Sequence, residues 1–214
     1  MPRYTTPLGS EGGYEPGSRN RVLRNKLGIR RKTEMDCVEF EALVRAQDHY
    51  YARVLHASTA ITAEFIRKMH GYWLGEIYEW AGRYRTVELK KDDFPWPPAY
   101  LVAKNMRRFE RNLLSVHTPC RKGTLEEVCR SVAIVHAEFL LIHPFREGNG
   151  RLARWLADIM TAQAGFPIPA YQFEGRGSWK VRKQYLAAVV KGYAQDYGDL
   201  ERFFERAIRL REAL

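Results

Sequence analysis

The chain has 214 residues, which is enough for one domain of ordinary size with a substantial core. Hydrophobic residues make up 45% of it and charged residues 28%, a composition typical of globular proteins and not of disordered ones. No apolar run approaches the roughly 20 residues that span a bilayer. Residues 1–20 also lack the apolar stretch of a secretory signal. We therefore expect no membrane partner and a cytoplasmic location.

The formal net charge of +10 raises nucleic acid as a partner. The basic residues are dispersed along the chain, however, and no zinc-finger, RRM or helix-turn-helix signature accompanies them. We interpret the charge as a solubilising surface that attracts acidic partners or nucleotides, and we keep nucleic-acid binding only as an outside alternative. Cys37, Cys120 and Cys129 form no CxxC pair, so reduced thiols are predicted and a bridge between the last two is disfavoured.

Residues 1–20 are rich in glycine and proline, which predicts a flexible lead-in ahead of a single domain over residues 21–214. Helical periodicity dominates that domain, so the predicted fold class is mostly α. Capping residues and glycine or proline stops mark several of the helix ends. The predicted helices run from Asp36 to about His56, from Thr62 to Trp73, from about Tyr100 to Leu114, from Thr124 to Ile142, from the glycine loop to Ala164, from about Ser178 to Tyr193 and from about Asp199 to Ala213.

One stretch, about residues 84–98, breaks the helical period. The pattern there predicts a strand, then a turn over residues 90–93, then a proline-limited edge strand over residues 94–98. An exposed strand edge can pair with an extended segment of another protein, although a plain connector is the alternative. The candidates for such docking are the residues of the first predicted strand, Thr86, Val87, Glu88 and Leu89.

The loop of residues 143–151 joins two apolar helices and concentrates reactive side chains. His143 precedes Pro144, which disfavours a helical conformation for the histidine and places its imidazole where the helix gives way to the loop. An imidazole titrates near neutral pH, so His143 is a candidate general base. A helix-end cap is the plain alternative for a histidine taken alone. The neighbouring residues of the loop favour the base.

Those neighbours favour phosphate chemistry. Gly148 and Gly150 bracket Asn149 at the start of a helix, where backbone N–H groups favour anions and small residues admit a phosphate. Glu147 then places a carboxylate beside the anion site, which is favourable if Mg²⁺ stands between them.

The helix after the loop carries two arginines three residues apart. Arg151 and Arg154 therefore share a face and can form a fork around phosphates. The positive end of a helix dipole is not the usual place for arginine, so the pair indicates a bound polyanion. Phe145 is predicted to anchor the loop in the core as a structural plug. His136, which lies earlier in the preceding helix, is predicted either to be structural or to support a residue of the site without touching a ligand itself.

Residues 143–154 match the signature HxFx(D/E)GNGRxxR at every fixed position. Two further segments, Asn25–Ile29 and Trp80–Arg85, are similar to the same family, and the similarity covers roughly residues 20–212. On these residues the chain resembles Fic-domain proteins. The resemblance implies a Fic fold, which is a helical bundle with a small β-hairpin flap. It also implies a nucleotidyltransferase that moves AMP from ATP to a hydroxyl side chain of a target protein (AMPylation).

The resemblance also implies roles for the residues already singled out. His143 is the catalytic base, Glu147 holds Mg²⁺, and the flap docks the target through the first predicted strand. The nucleotide phosphates are bound by Gly148, Asn149, Gly150, Arg151 and Arg154. Members that donate phosphate carry lysine in place of Gly150, which argues against that branch here. Transfer of UMP or phosphocholine, and a catalytically silent Fic-fold binding module, remain as alternatives.

Many Fic proteins carry an inhibitory helix with the motif (S/T)xxxE(G/N), whose glutamate occupies the second arginine of the signature, here Arg154. No serine or threonine of this chain is followed four residues later by glutamate, and Thr6 with Glu11 is one residue out of register. The resemblance therefore favours a toxin inhibited by a separate small antitoxin that supplies the helix. A constitutively active enzyme is the alternative. The expected location is the bacterial cytoplasm, or a host cell if the protein is a delivered effector.

Overall fold

The computed structural model of the protein describes residues 11, 13–54, 59–121 and 123–213. The chain folds into two compact units. The first unit takes in Met1–Ala52, Thr62–Arg107 and Ile142–Asn149, and the second takes in Arg53–Ile61, Arg108–Leu141 and Gly150–Leu214. The prediction of a mostly α fold with a small β-hairpin is confirmed.

The first unit contains most of helix α1 (Lys32–Val54) and all of α2 (Ala63–Leu74). Thr62 caps α2 as predicted, because its side chain accepts a hydrogen bond from the Phe65 N–H at 3.0 Å. The predicted start of α1 at Asp36 is wrong. The helix begins one turn earlier, since Met35 is already buried at 2% exposure, and Asp36 pairs with Lys32 inside the helix.

The β-hairpin of the first unit pairs β1 (Lys90–Lys91) with β2 (Phe94–Pro95) in antiparallel register. The prediction of a strand over residues 86–89 is therefore wrong, because strand pairing begins only after it. The tight turn lies at Asp92, whose φ of +53° is tolerated by aspartate. Leu89 lies just before β1, and its carbonyl accepts the Trp96 N–H at 3.0 Å. Leu89 and Trp96 are buried against each other.

A helical segment follows the hairpin and runs from the first unit into the second. It opens with a 3-10 turn, continues as an α-helix, widens into a π-helical turn and closes with a short α-helical turn. Its parts are the 3-10 turn Ala99–Leu101, α3 (Val102–Phe109), the π-helical turn Glu110–Leu114 and α4 (Ser115–His117).

The second unit is built from four further helices. The predicted capping box of the first of them is confirmed, since Thr124 N–H donates to Glu127 Oε2 at 2.8 Å and Glu127 N–H donates to Thr124 Oγ1 at 3.2 Å. The core of the unit includes Val132, Phe139 and Trp155, each with 0% exposure. The four helices are α5 (Leu125–Ile142), α6 (Asn149–Gln163), α7 (Ser178–Gly192) and α8 (Gly198–Glu212).

The part of the predicted lead-in that the structure describes is tied to the first unit. Tyr14 forms an antiparallel bridge with Leu23, and Ser18 is buried in the turn between them. Residues 1–10 and 12 of the lead-in lie outside the described residues. Cys37, Cys120 and Cys129 are free thiols in the structure, the first exposed and the other two buried. None of the helices among the described residues has the length and hydropathy needed to cross a membrane.

Candidate active site

His143 leaves helix α5 in a left-handed backbone conformation, with φ of +51°. Pro144 therefore has the predicted effect of keeping this residue out of the right-handed helical region. Histidine is among the few non-glycine residues that adopt this conformation with some frequency. The side chain is only 5% exposed, and its ring lies 4.1 Å from the Trp96 ring. The carbonyl oxygen accepts a hydrogen bond from Arg85 Nε at 2.8 Å.

A side-chain clamp closes the loop that follows. Asn149 Oδ1 accepts the Phe145 N–H at 2.9 Å, and Asn149 Nδ2 donates to the Phe145 carbonyl at 2.7 Å. The amide is 1% exposed, so its side chain is engaged by the loop. The Asn149 backbone N–H lies at the start of α6, where N–H groups have no partner within the helix. If Asn149 contacts a phosphate, the donor is therefore its backbone N–H and not its side-chain amide.

Beneath the loop, Phe145 is fully buried and stacks on His70 with ring centroids 3.9 Å apart and an angle of 6°. The Gly82 N–H donates to His70 Nδ1 at 2.9 Å, so this nitrogen is unprotonated. His70 Nε2 then carries the proton and donates to the Glu147 carbonyl at 3.1 Å. A neutral histidine thus fixes the backbone at Glu147 while leaving its carboxylate outside this contact.

Gly148 has two separate reasons to be glycine. Its φ is +87°, and a Cβ at this position would lie 2.8 Å from an atom of the Trp73 ring. The Gly148 N–H donates to Glu147 Oε1 at 2.9 Å, so the carboxylate lies against the backbone of the same loop. Glu147 is half-buried, which keeps the carboxylate within reach of a ligand in solution.

Helix α6 carries the remaining predicted site residues. Gly150, Arg151 and Arg154 lie in its first turns and are all half-buried. The Arg154 guanidinium carbon lies 5.4 Å from the centre of the Phe173 ring, a cation–π contact that orients its charge. The Arg154 carbonyl accepts a hydrogen bond from the Tyr171 hydroxyl at 3.2 Å. The segment after α6 thus supports the second arginine of the motif.

His136 is structural, as the sequence indicates. Its Nδ1 donates to the Ala153 carbonyl at 3.1 Å, and its Nε2 accepts from the Tyr185 hydroxyl at 2.8 Å. Burial lowers the pKa of His136 to about 3, and the nearby charge of Arg154 acts in the same direction. The imidazole is therefore neutral at physiological pH and links α5 to α6 and α7.

A divalent cation at this site would need ligands from a bound substrate or from water in addition to those from the protein. Among the described residues, no cluster of three or more histidine, cysteine or acidic side chains could hold a metal ion. Within the loop and the first turn of α6, Glu147 offers a carboxylate next to a helix N-terminus. Mg²⁺ is commonly held by one or two carboxylates together with substrate phosphates and water, so this donor set fits a nucleotide-bound magnesium ion.

Sequence reasoning missed several residues that shape the site. His70, Trp73 and Arg85 contact the loop from distant parts of the chain, and Phe173 contacts Arg154 from beyond α6. Only Arg85 carried a signal, because it belongs to a segment that resembles the family.

Comparison with known proteins identifies the domain. A family model described as the Fic/DOC family matches residues 60–161. Residues 60–161 are a Fic domain. The predicted resemblance is thereby confirmed, and the Fic domain contains most of the structural features described above, from the cap of α2 to helix α6.

Two relatives extend the similarity of the Fic domain beyond residues 60–161. The chain is 28% identical over 190 residues to a Sinorhizobium fredii protein named "Probable protein adenylyltransferase y4lH", a match that covers 87% of the chain and 91% of that relative. It is 27% identical over 192 residues to "Protein adenylyltransferase Fic" of Nematostella vectensis. The second match covers 89% of the chain but only 42% of the relative, so the chain spans less than half of that protein.

Solved structures support the fold independently of sequence. The crystal structure of the BepC protein of Bartonella tribocorum, a VirB-translocated effector with bound AMPPNP, matches with a TM-score of 0.66. The match covers 86% of this chain and 91% of that one at 19% identity. At this identity the comparison establishes the Fic fold alone.

Proposed function

We propose that the protein is a protein adenylyltransferase, which transfers AMP from ATP to a hydroxyl side chain of a target protein. One observation carries the proposal above the others. His143 is held out of the helix with φ of +51° directly before a loop that ends at a glycine-bracketed helix N-terminus. A base and a phosphate-binding backbone thus lie in one short segment of sequence. The names of the two relatives support the same activity.

The chemistry follows from the segment of residues 143–154, which we take to act together within one Fic domain over residues 21–214. The imidazole of His143 accepts the proton of the target hydroxyl. The hydroxyl oxygen bonds to the α-phosphorus of ATP, the bond from that phosphorus to the bridging oxygen breaks, and pyrophosphate leaves. Backbone N–H groups at Gly148, Asn149 and Gly150 stabilise the negative charge together with Arg151 and Arg154.

Mg²⁺ belongs to the proposal as the partner of the nucleotide. Glu147 is the residue that would hold it, since its carboxylate lies at the loop and is half-buried. When bound, the ion neutralises phosphate charge and so favours departure of pyrophosphate.

The partners are also proposals. The target docks on the flap, which we define as residues 84–98, and an extended segment pairs with its exposed backbone edge. Thr86, Val87, Glu88 and Leu89 directly precede β1. The Thr86 N–H and the carbonyls of Val87 and Leu89 already have partners within the protein, so the target segment pairs with the other backbone groups of the flap. A separate antitoxin that carries the (S/T)xxxE(G/N) helix blocks Arg154. The protein acts in the bacterial cytoplasm, or inside a host cell as a delivered effector.

The alternative reaction for the same fold is transfer of a different group, such as UMP, phosphocholine or phosphate. Gly150 favours AMP transfer over phosphate transfer, because the members that transfer phosphate carry lysine at this position. The test supplies the protein, Mg²⁺ and target-containing lysate with ATP labelled at either the α or the γ phosphate. Label from the α position that disappears in His143→Asn supports AMP transfer. Label that arrives only from the γ position contradicts it.

Asparagine is a better replacement for His143 than alanine, because asparagine also tolerates a positive φ and the backbone at residue 143 therefore keeps its conformation. Failure of both labels to move, with UTP or a phosphocholine donor active instead, would assign another donor to the same site. Inactivity with all donors would favour a silent binding module.

A further inference from the structure

Arg85 is a buried cation that the proposed chemistry does not use. Its side chain is only 2% exposed, and each of its three guanidinium nitrogens donates to a different backbone carbonyl. Nε bonds His143 O at 2.8 Å, Nη1 bonds Val87 O at 3.0 Å, and Nη2 bonds Pro97 O at 2.6 Å. The Arg85 backbone N–H adds a fourth link, to the Pro144 carbonyl at 2.9 Å.

These carbonyls belong to the two parts of the site that must be aligned. Two of them stand at the ends of the hairpin, since Val87 precedes β1 and Pro97 follows β2. The third belongs to His143, which follows α5 in a left-handed backbone conformation. The Arg85 guanidinium therefore forms hydrogen bonds with the segment before β1, with the segment after β2 and with the backbone of His143.

The electrostatic setting keeps this group charged while it is buried. Burial lowers the pKa of Arg85, and the charges of Glu88 and Glu11 raise it in part. An arginine pKa starts so high that the guanidinium stays protonated at physiological pH in spite of burial. Carbonyl oxygens then accept from a full positive charge, and such bonds are stronger than neutral ones.

We propose that Arg85 is a positioning residue that fixes the flap against the backbone of the catalytic base. It sets the distance between a docked target segment and the His143 imidazole. The role rests on the proposed function, but its structural part can be measured without substrate. Lysine cannot replace arginine here, because a single ammonium group does not reach three carbonyls that are contacted by three separate nitrogens.

The first test uses the unmodified protein and NMR detection of arginine Nε–H groups. The Nε–H of Arg85 should exchange with water at least tenfold more slowly than that of Arg83, which is exposed on the same segment. Equal exchange of the two groups would overturn the proposal. This measurement needs no variant, so it holds even if every substitution at position 85 prevents folding.

The second test compares Arg85→Lys with the matched control Arg83→Lys by hydrogen exchange and by steady-state transfer of α-labelled AMP. We expect faster exchange of amides in residues 87–97 in the first variant, with protection in α7 and α8 unchanged. We also expect kcat to fall by about 100-fold with little change in KM for ATP, which is the effect of misplacing a reacting group by roughly 1 Å. The control should match the wild type.

Two results would contradict the positioning role. One is wild-type exchange of the flap in Arg85→Lys. The other is a parallel loss of protection in the flap, α7 and α8, which would mean that the substitution only destabilises the whole protein. If the wild-type protein transfers no AMP, the proposed function fails, while both exchange measurements still decide the role of Arg85.

Discussion

Replacing Gly148 by alanine tests how the loop of residues 143–151 is built, because two separate penalties coincide there. The backbone has φ of +87°, and a left-handed conformation costs a residue with a Cβ about 1–2 kcal/mol. The new Cβ would also lie 2.8 Å from the Trp73 ring, which is closer than atoms pack in real proteins. Overpacking of this kind typically costs about 1–3 kcal/mol. The expected loss of unfolding free energy is therefore about 2–5 kcal/mol.

Gly175→Ala is the matched control, because Gly175 has φ of +81° and no atom within 4 Å of its hypothetical Cβ. It should lose only the backbone part of the penalty, about 1–2 kcal/mol. Equilibrium unfolding in urea, followed by tryptophan fluorescence, gives both values if the slope with denaturant stays constant. Equal losses in the two variants would refute the contact with Trp73 as a reason for glycine at position 148.

Three further predictions concern the rest of the scaffold. Asn149→Ala removes both hydrogen bonds between Asn149 and Phe145 and leaves the buried Phe145 N–H without its acceptor. The free energy of unfolding should therefore fall by about 1–3 kcal/mol, as measured by urea unfolding. A change within experimental error would contradict a stabilising role of these bonds. Thr124→Ala removes the cap of α5 and should cost about 1 kcal/mol by the same assay, and no loss would rule out the capping box as a source of stability. His136 takes up a proton near pH 6.5 when unfolded but only near pH 3 when folded, so stability should fall as the pH drops through this window. His136→Gln should flatten this dependence in urea unfolding at several pH values, and an unchanged slope would assign it to other groups.

The features that were predicted correctly depend on residues close together in the chain. The cap of α2 by Thr62 and the capping box at Thr124 each involve residues three apart, so the sequence alone contains both partners. The non-helical conformation of His143 follows from its direct neighbour Pro144. Local chemistry of this kind can be predicted without knowledge of the fold.

The features that were not predicted depend on distant residues. Arg85 and His143 are 58 positions apart, and His70 contacts the carbonyl of a residue 77 positions later. The periodicity of the sequence does not predict contacts between residues so far apart, because each of these side chains taken alone is also compatible with a surface or a core position. The position of β1 was missed for a related reason. Residues 86–89 have a strand-like pattern, but the register is set by the turn at Asp92, which leaves only two residues on each side paired.

We propose that His143 is the base that directs transfer of AMP to a target hydroxyl. Intact-mass spectrometry of a modified target, after incubation with ATP and Mg²⁺, tests it most directly. We expect a mass increase equal to one adenylyl group (AMP less water) with the wild-type protein and none with His143→Asn, while that variant keeps wild-type hydrogen-exchange protection in α5 and α6. A mass increase equal to one phosphoryl group, or an AMP adduct that forms equally well with His143→Asn, would refute this role of His143.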